Sequence, residues 1–487
     1  MKEKKQKEVQ SKKTKSDKKK SRNRETNIIS YVFMTIFGVI IVYLVVFNAF
    51  LSKNILNNSY NTLVDTQEDD VVRGDILARD GTILATTVTD SEGNETRVYP
   101  LGTMFCHVVG FNSNGRSGLE LSENYYLLSK ADNVLSQISD DIDGEKYEGD
   151  DVYTTLDVAL QKAAYEALGT NKGAVIAMDP TTGEILCMVS YPNYDPNDAV
   201  DDYATWLTYD SDDSVLLNRA TQGLYPPGST FKILTLLAYM EQNSDYSNFS
   251  FTCTGSVSIS GGTKINCASN TVHGNETLIT AFANSCNSAF ATIGVSLSRA
   301  EYISLVSRFL FNQSLGVDFT YNESSFTLST DSSISAVEET AIGQGETMIS
   351  PLHNLMIVSS VANGGVMLKP YLVDKIVDSN GNTVVSYDSE ELGKMMSSAQ
   401  AKYITECMKQ VCKTGTGSAF KNYGVTVAGK TGSAQYGDGS NYHSWFVGFA
   451  PADDPQIAIC VILEGGFTGV SSAQYVARDV LDAYFGY

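Results

Sequence analysis

From Ile28 to Leu51 the chain reads IISYVFMTIFGVIIVYLVVFNAFL, 24 consecutive residues without a charge. A helix of that length crosses the roughly 30 Å hydrocarbon core of a bilayer. A cleaved signal peptide is the competing reading, but its apolar region is usually about 7 to 15 residues and ends at a small-x-small site. Phe50-Leu51-Ser52-Lys53 follows here instead, so the sequence predicts an uncleaved anchor. The first 25 residues carry twelve Lys or Arg against four Asp or Glu, whereas the whole chain has a net charge of −21. The positive-inside bias predicts a cytoplasmic tail and an acidic extracytoplasmic bulk, which is unsuited to nucleic acid.

Eight cysteines in 487 residues form no C-x-x-C pair, and His107, His273, His353 and His443 are far apart, so no metal or cofactor is expected. Most of the cysteines should be buried small hydrophobes. Cys253 and Cys267 flank a Gly- and Ser-rich segment, and the spacing leaves open whether they are bridged.

The chain divides into a basic tail (1–27), a span (28–51), a polar, turn-rich membrane-proximal region (52–150) and a large domain (151–487). The boundary at 150 falls in the acidic stretch SDDIDGEKYEGDD. An Asp80-Gly81 turn signal marks a hairpin in the membrane-proximal region. In the large domain, TTLDVALQKAAYEALG predicts a helix stopped at Gly169, and GAVIAMD and EILCMVSY predict strands joined at Pro180 to Gly183. VTVAGKTGSAQ, HSWFVGFA and QIAICVILE predict three more strands before a final helix. Strands from both ends with helices between them predict an α+β fold around an antiparallel sheet.

The chemistry centres on LYPPGSTFKILTLLAYMEQ, residues 224–242. Pro226-Pro227-Gly228 excludes helix, Ser229 can cap one, and the apolar run after it predicts a buried helix. Lys232 lies one turn on, where burial disfavours its charged form and makes it a candidate base for the serine hydroxyl. Ser-x-x-Lys also occurs at Ser16 and Ser418, and a plain helix cap is the bland reading of Ser229. Ser285-Cys286-Asn287 supplies a Ser-x-Asn element, a pattern also met at Ser59 and Ser122. Lys-Thr-Gly occurs twice. Lys413 ends a helical pattern before Gly415, whereas Lys430 lies in a strand with Gly429 and Gly432 beside it. The second copy is therefore the candidate.

Ser229, Ser285 and Lys430 stand in the order of the S-x-x-K, Ser-x-Asn and K-T-G signature of penicillin-binding proteins and class A β-lactamases. NRATQGLYPPGSTFKI, AIGQGETMISPLHN, VANGGVMLKPYLV and VAGKTGSAQ with HSWFVGFAP resemble the transpeptidase domain of class B penicillin-binding proteins. RGDILARDGTILA, RVYPLG and GLELSENYYLL resemble that family's membrane-proximal region. The resemblance implies a D,D-transpeptidase in which Ser229 attacks the penultimate D-Ala carbonyl of a peptidoglycan stem peptide and Lys232 takes its proton. It further implies that Ser285, tuned by Lys430, protonates the leaving amine and that Asn287 holds the stem-peptide amide. Thr431, Gly432 and Ser433 would bind the substrate, Thr431 and Ser433 through its carboxylate, and the N–H groups of Ser229 and Ser433 would form the oxyanion hole. The implied partners are nascent lipid-linked glycan, β-lactam antibiotics and a polymerase of the SEDS type. The family commonly has threonine where this chain has Ser433, which keeps the hydroxyl. A membrane-anchored β-lactamase and a non-catalytic β-lactam sensor or scaffold of the same fold are the alternatives. About 100 residues before the catalytic domain leave no room for a glycan-polymerising domain.

Overall fold

The computed structural model describes residues 1–47, 71–129, 146–210, 213–437, 441–465 and 472–487. Helix α1 runs unbroken from Lys2 to Val46, joining the basic tail and the apolar segment. Its stretch Thr26–Val46 is long and apolar enough to cross a membrane, and its side chains are exposed. At 1.5 Å per residue these 21 residues extend about 31 Å. The expected end of the span at 48–51, the Phe50–Lys53 junction, the Ser59 pattern and most of the acidic stretch at 139–151 lie outside the described residues.

The chain after residue 66 is a separate compact unit. Strands β1 (Ile76–Leu77) and β2 (Ile83–Thr89) form the expected hairpin, with Gly81 at φ +83° in its turn, and β2 continues to β3 (Glu95–Val98). The three family-like segments noted in the sequence before residue 150 are tied together by charge. Arg73 Nε and Arg97 Nε donate to the two oxygens of Glu120 at 2.6 and 2.7 Å, with Glu120 fully buried. Burial alone would raise the Glu120 carboxyl, but the two guanidiniums hold it below its usual value. Strand β4 (Asp151–Thr154) extends this sheet across the expected boundary at 150, because β1 pairs with it in parallel.

Helix α2 (Val158–Leu168) starts where Asp157 accepts the Leu160 N–H and stops at Gly169, φ +57°. Strands β5 (Gly173–Met178) and β6 (Ile185–Tyr191) form the expected hairpin. Next come α3 (Lys232–Gln242), the strands β7 (Ser250–Cys253), β8 (Lys264–Asn266) and β9 (Gly274–Thr277), and the helices α4 (Leu278–Ala283) and α5 (Asn287–Ser296). Helix α6 (Pro351–Ala362) is capped by Ser350. Strands β10 (Val373–Val377) and β11 (Thr383–Ser386) return to the first sheet, whose order is β11-β10-β4-β1-β2-β3. Helix α7 (Ser398–Lys413), the meander β12 (Ala428–Tyr436), β13 (Asn441–Ala450) and β14 (Ile457–Leu463), and α8 (Ala473–Phe485) follow.

The second sheet has the order β12-β13-β14-β5-β6, all neighbours antiparallel, so both ends of the domain build it as expected. In β5, Ala174, Ile176 and Met178 enter the core that contains α6, and Val175 and Ala177 enter the one that contains α2 and α8. A sheet covered on both faces explains why β5 and β14 are apolar at every position rather than at alternate ones. The edge strand β12 packs against α7 and against the Gly228–Phe231 turn that leads into α3.

Candidate active site

Ser229 sits in a 3-10 turn, Gly228–Phe231, and α3 begins only at Lys232. The expectation that Ser229 caps the helix is therefore corrected, because the serine lies inside the 3-10 turn and the cap position of α3 falls at Phe231. That turn is held from three sides. Gly228, at φ +55°, donates to Gly343 O at 2.8 Å, and a side chain there would meet Ser433 O. Thr230 Oγ1 donates to Pro227 O at 2.8 Å and accepts from Asn354 Nδ2 at 3.1 Å. Trp445 Nε1 donates to Pro226 O at 3.0 Å.

Lys232 is fully buried and its ammonium nitrogen lies 2.8 Å from Ser285 O, 3.2 Å from Ser285 Oγ and 2.7 Å from Asn287 Oδ1. Its hydrogen bonds thus bind the Ser-x-Asn element, whereas the sequence pointed it at the Ser229 hydroxyl. Lys430, also fully buried, reaches Ser285 Oγ at 3.0 Å and Thr431 O at 2.9 Å. One hydroxyl therefore stands between two amines. Burial lowers the Lys232 pKa to about 7, with Cys286 and Cys267 pulling weakly the other way. Burial lowers Lys430 well below its ordinary value too, and the neighbouring Lys232 charge adds to the shift. Phe290 and Phe282 rings lie 5.5 Å from Lys232 Nζ and Lys430 Nζ respectively, in place of solvent.

Ser285 adopts φ +54°, a conformation sparsely populated by residues other than glycine. It occupies the sharp corner between α4 and α5, and Asn287 opens α5. Strand β12 supplies Lys430, Thr431, Gly432 and Ser433, in register with Val447, Phe446, Trp445 and Ser444 of β13. A side chain at Gly432 would sit 3.2 Å from Thr230 Cγ2, so this glycine lets the strand lie against the Ser229 turn.

A cavity of about 1220 Å³ opens above these groups and is lined by Ser229, Ser285, Asn287, Thr431, Gly432 and Ser433 among others. Lys413 ends α7 as an exposed residue. Its neighbours go further than the sequence suggested: Thr414, Gly415 and Thr416 also line the cavity, and Thr416 Oγ1 lies 2.5 Å from Thr431 Oγ1. Gln344, whose Nε2 donates to Ser433 O at 3.3 Å, is a second lining residue that sequence reasoning did not single out. It stands in AIGQGETMISPLHN, so the family-like segment was a signal, but only the fold aims this side chain at β12. Cys253 and Cys267 are free thiols 3.6 Å apart.

The penicillin-binding protein transpeptidase domain matches residues 173–482 of this chain. The chain belongs to the penicillin-binding protein transpeptidase family. The penicillin-binding protein A dimerisation domain matches residues 73–152, in front of it. Among curated relatives of this penicillin-binding protein, the peptidoglycan D,D-transpeptidase PbpA of Mycolicibacterium smegmatis is 30% identical over 91% of this chain and 94% of its own. The Stage V sporulation protein D of Bacillus subtilis is 31% identical over 80% of this chain and 63% of its own. Among solved structures, penicillin-binding protein A of M. tuberculosis as an imipenem acyl-enzyme complex superposes with a TM-score of 0.78 at 28% identity, covering 86% of this chain and 100% of that one. The D,D-transpeptidase domain of a peptidoglycan glycosyltransferase from Eggerthella lenta gives 0.77 at 31% identity, covering 86% and 99%.

Proposed function

We propose that this penicillin-binding protein is a membrane-anchored peptidoglycan D,D-transpeptidase whose nucleophile is Ser229 and whose acyl-enzyme is the target of β-lactams. The observation that carries the assignment of residues is the convergence of two buried amines, Lys232 and Lys430, on Ser285 at the floor of the cavity that Ser229 lines. In this reading a neutral Lys232 takes the proton as Ser229 Oγ bonds to the penultimate D-Ala carbonyl carbon. A preorganised base and nucleophile split one difficult acyl transfer into two steps. The carbonyl oxygen becomes an oxyanion held by the N–H groups of Ser229 and Ser433, each such donor contributing roughly 3 to 4 kcal/mol. Ser285 Oγ–H then protonates the nitrogen of the departing D-Ala as the C–N bond breaks, and the amines on either side return a proton to Ser285. Thr431 and Ser433 hold the substrate carboxylate and Asn287 the stem-peptide amide. An acceptor amine from a neighbouring strand then displaces Ser229 to form the crosslink.

The lysine-rich tail supports an orientation with residues 1–27 in the cytoplasm, a single span at 28–51 and residues 52–150 and 151–487 outside. A SEDS-type polymerase docked through the span and the membrane-proximal region is the partner that the family reading supports. Intact-mass and peptide mass spectrometry of the full chain in detergent after penicillin treatment tests the activity. A long-lived penicilloyl group on Ser229 is expected. No adduct, or an adduct on another residue, would sink the reading, and rapid release of hydrolysed penicillin would make the chain a β-lactamase.

A further inference from the structure

Four residues spread over 34 positions meet behind the Ser-x-Asn corner. Cys253 ends β7, Cys267 follows β8, His273 precedes β9, and Cys286 is the middle residue of Ser285-Cys286-Asn287. Their Sγ and ring-nitrogen atoms all lie within 4.8 Å of one another. Cys253 Sγ is 3.6 Å from Cys267 Sγ and 3.4 Å from His273 Nδ1, and Cys267 Sγ is 3.8 Å from Cys286 Sγ. A tetrahedral zinc centre, with Zn–S bonds of about 2.3 Å and Zn–N bonds of about 2.0 to 2.1 Å, separates two sulfurs by roughly 3.8 Å and a sulfur from a nitrogen by roughly 3.5 Å. These three separations fall within about 0.2 Å of those values, and the remaining three pairs lie within 4.8 Å.

We propose that Cys253, Cys267, His273 and Cys286 bind one zinc ion in a closed structural site that anchors the Ser285-Cys286-Asn287 corner of the active site. Three soft sulfurs and an imidazole in tetrahedral array select zinc over the hard, oxygen-seeking cations. The groups behind the sulfurs suit thiolates: the Gly255 N–H donates to Cys253 Sγ at 3.4 Å, and the Ser288 hydroxyl lies 3.3 Å from Cys267 Sγ, placed to donate. Outer-shell donors of this kind fix and stabilise metal-bound ligands. The three cysteines are buried, whereas Cys267 and His273 border the cavity, which gives the ion an entry path. Binding converts three thiols to thiolates, so three protons pass to solvent as the zinc–sulfur bonds form.

The consequence lies at the reacting groups. Cys286 stands between Ser285, held at φ +54°, and Asn287, whose Nδ2 donates to Asn266 O at 2.9 Å next to Cys267. A bond from Cys286 to zinc fixes the peptide on both sides of the residue whose hydroxyl the two lysines share. The sequence predicted no metal ligands here because the local spacing has no zinc-like pattern. The four residues become a set only when β7 pairs with β9 and α5 packs beneath them.

The test uses the full chain in detergent, purified without added metal and measured by elemental mass spectrometry. About one zinc per chain is expected, and cobalt exchanged into the same protein should give the intense visible bands and the sulfur-to-metal charge transfer of a tetrahedral thiolate site. Ser288→Ala should weaken zinc binding by roughly 10- to 100-fold. His273→Ala, at a half-buried position, should lose the metal, melt at a lower temperature and acylate more slowly with penicillin. The proposal is overturned if the protein holds no zinc and gives no such cobalt spectrum, or if peptide mapping finds Cys253 and Cys267 joined as a disulfide in protein as isolated. Elemental content does not depend on acylation, so zinc-loaded protein that forms no penicilloyl adduct would count against the transpeptidase reading alone.

Discussion

Thr416, which follows the first Lys-Thr-Gly, places its hydroxyl 2.5 Å from the hydroxyl of Thr431 in the second. The two copies of the tripeptide thus meet at one wall of the cavity, but only Lys430 turns inward, to Ser285 Oγ at 3.0 Å. Lys430→Ala should cut penicillin acylation of Ser229 by roughly 10²- to 10³-fold, as loss of a preorganised electrostatic group does. Lys413→Ala should acylate at the wild-type rate and lose at most about 1 kcal/mol of stability from the end of α7. Thr416→Val removes one hydrogen bond of about 0.5 to 1.5 kcal/mol and should slow acylation by roughly 2- to 10-fold. Equal damage from the two lysine variants would remove the distinction between the copies.

The lowered pKa of Lys232, about 7, fixes the sign of the pH dependence. The base is the neutral amine, so acylation should rise with pH through a midpoint near 7 and level off roughly one unit above it. Stopped-flow acylation by a chromogenic β-lactam across that range measures the midpoint. A midpoint near the ordinary lysine value would mean that Lys232 is not the base. Lys232→Arg, which keeps the charge and cannot deprotonate in this range, should lose the ascending limb together with the activity.

Among the described residues, Glu120 is the carboxylate that pairs with both Arg73 and Arg97. Glu120→Ala leaves two largely buried guanidiniums facing each other, and breaking a buried pair in this way costs about 3 to 5 kcal/mol. Thermal melting and limited proteolysis of the full chain should show the loss, with penicillin acylation kept at temperatures where the fold survives. A melting temperature equal to that of the wild type would mean that the triad does not hold these three segments together.

His353, fully buried in α6, donates from Nε2 to Phe309 O at 2.6 Å, and burial lowers its pKa to about 4. The unfolded chain takes up this proton near the ordinary value of about 6.5, so the unfolded state binds more protons between the two values. Stability from neutral His353 is therefore complete above about pH 6.5 and declines as pH falls towards 4, by up to about 3 kcal/mol. Urea titrations of the wild type and His353→Gln at several pH values should show a shallower acid loss in the variant. Parallel curves would mean that this histidine does not contribute to acid sensitivity.

The sequence alone determined whatever depends on neighbours a few positions apart. Period and turn chemistry placed α2 between Asp157 and Gly169, the β5–β6 hairpin around Gly183, and the apolar stretch within α1, because helices and hairpins answer to spacings of two to four residues. The strand around Lys430 and the helix end at Lys413 were legible for the same reason. The tertiary structure decided what these residues touch. Ser229 lies within a 3-10 turn because the Gly343 carbonyl, Asn354 and Trp445 hold that turn from elsewhere in the chain. Lys232 bonds to Ser285 across 53 positions and Lys430 to the same hydroxyl across 145, separations that no local pattern encodes. Thr416, Gln344 and the cysteine–histidine cluster were invisible for that reason, since each gains its partners only when the packed sheet and helices bring distant segments within hydrogen-bonding or ligand distance.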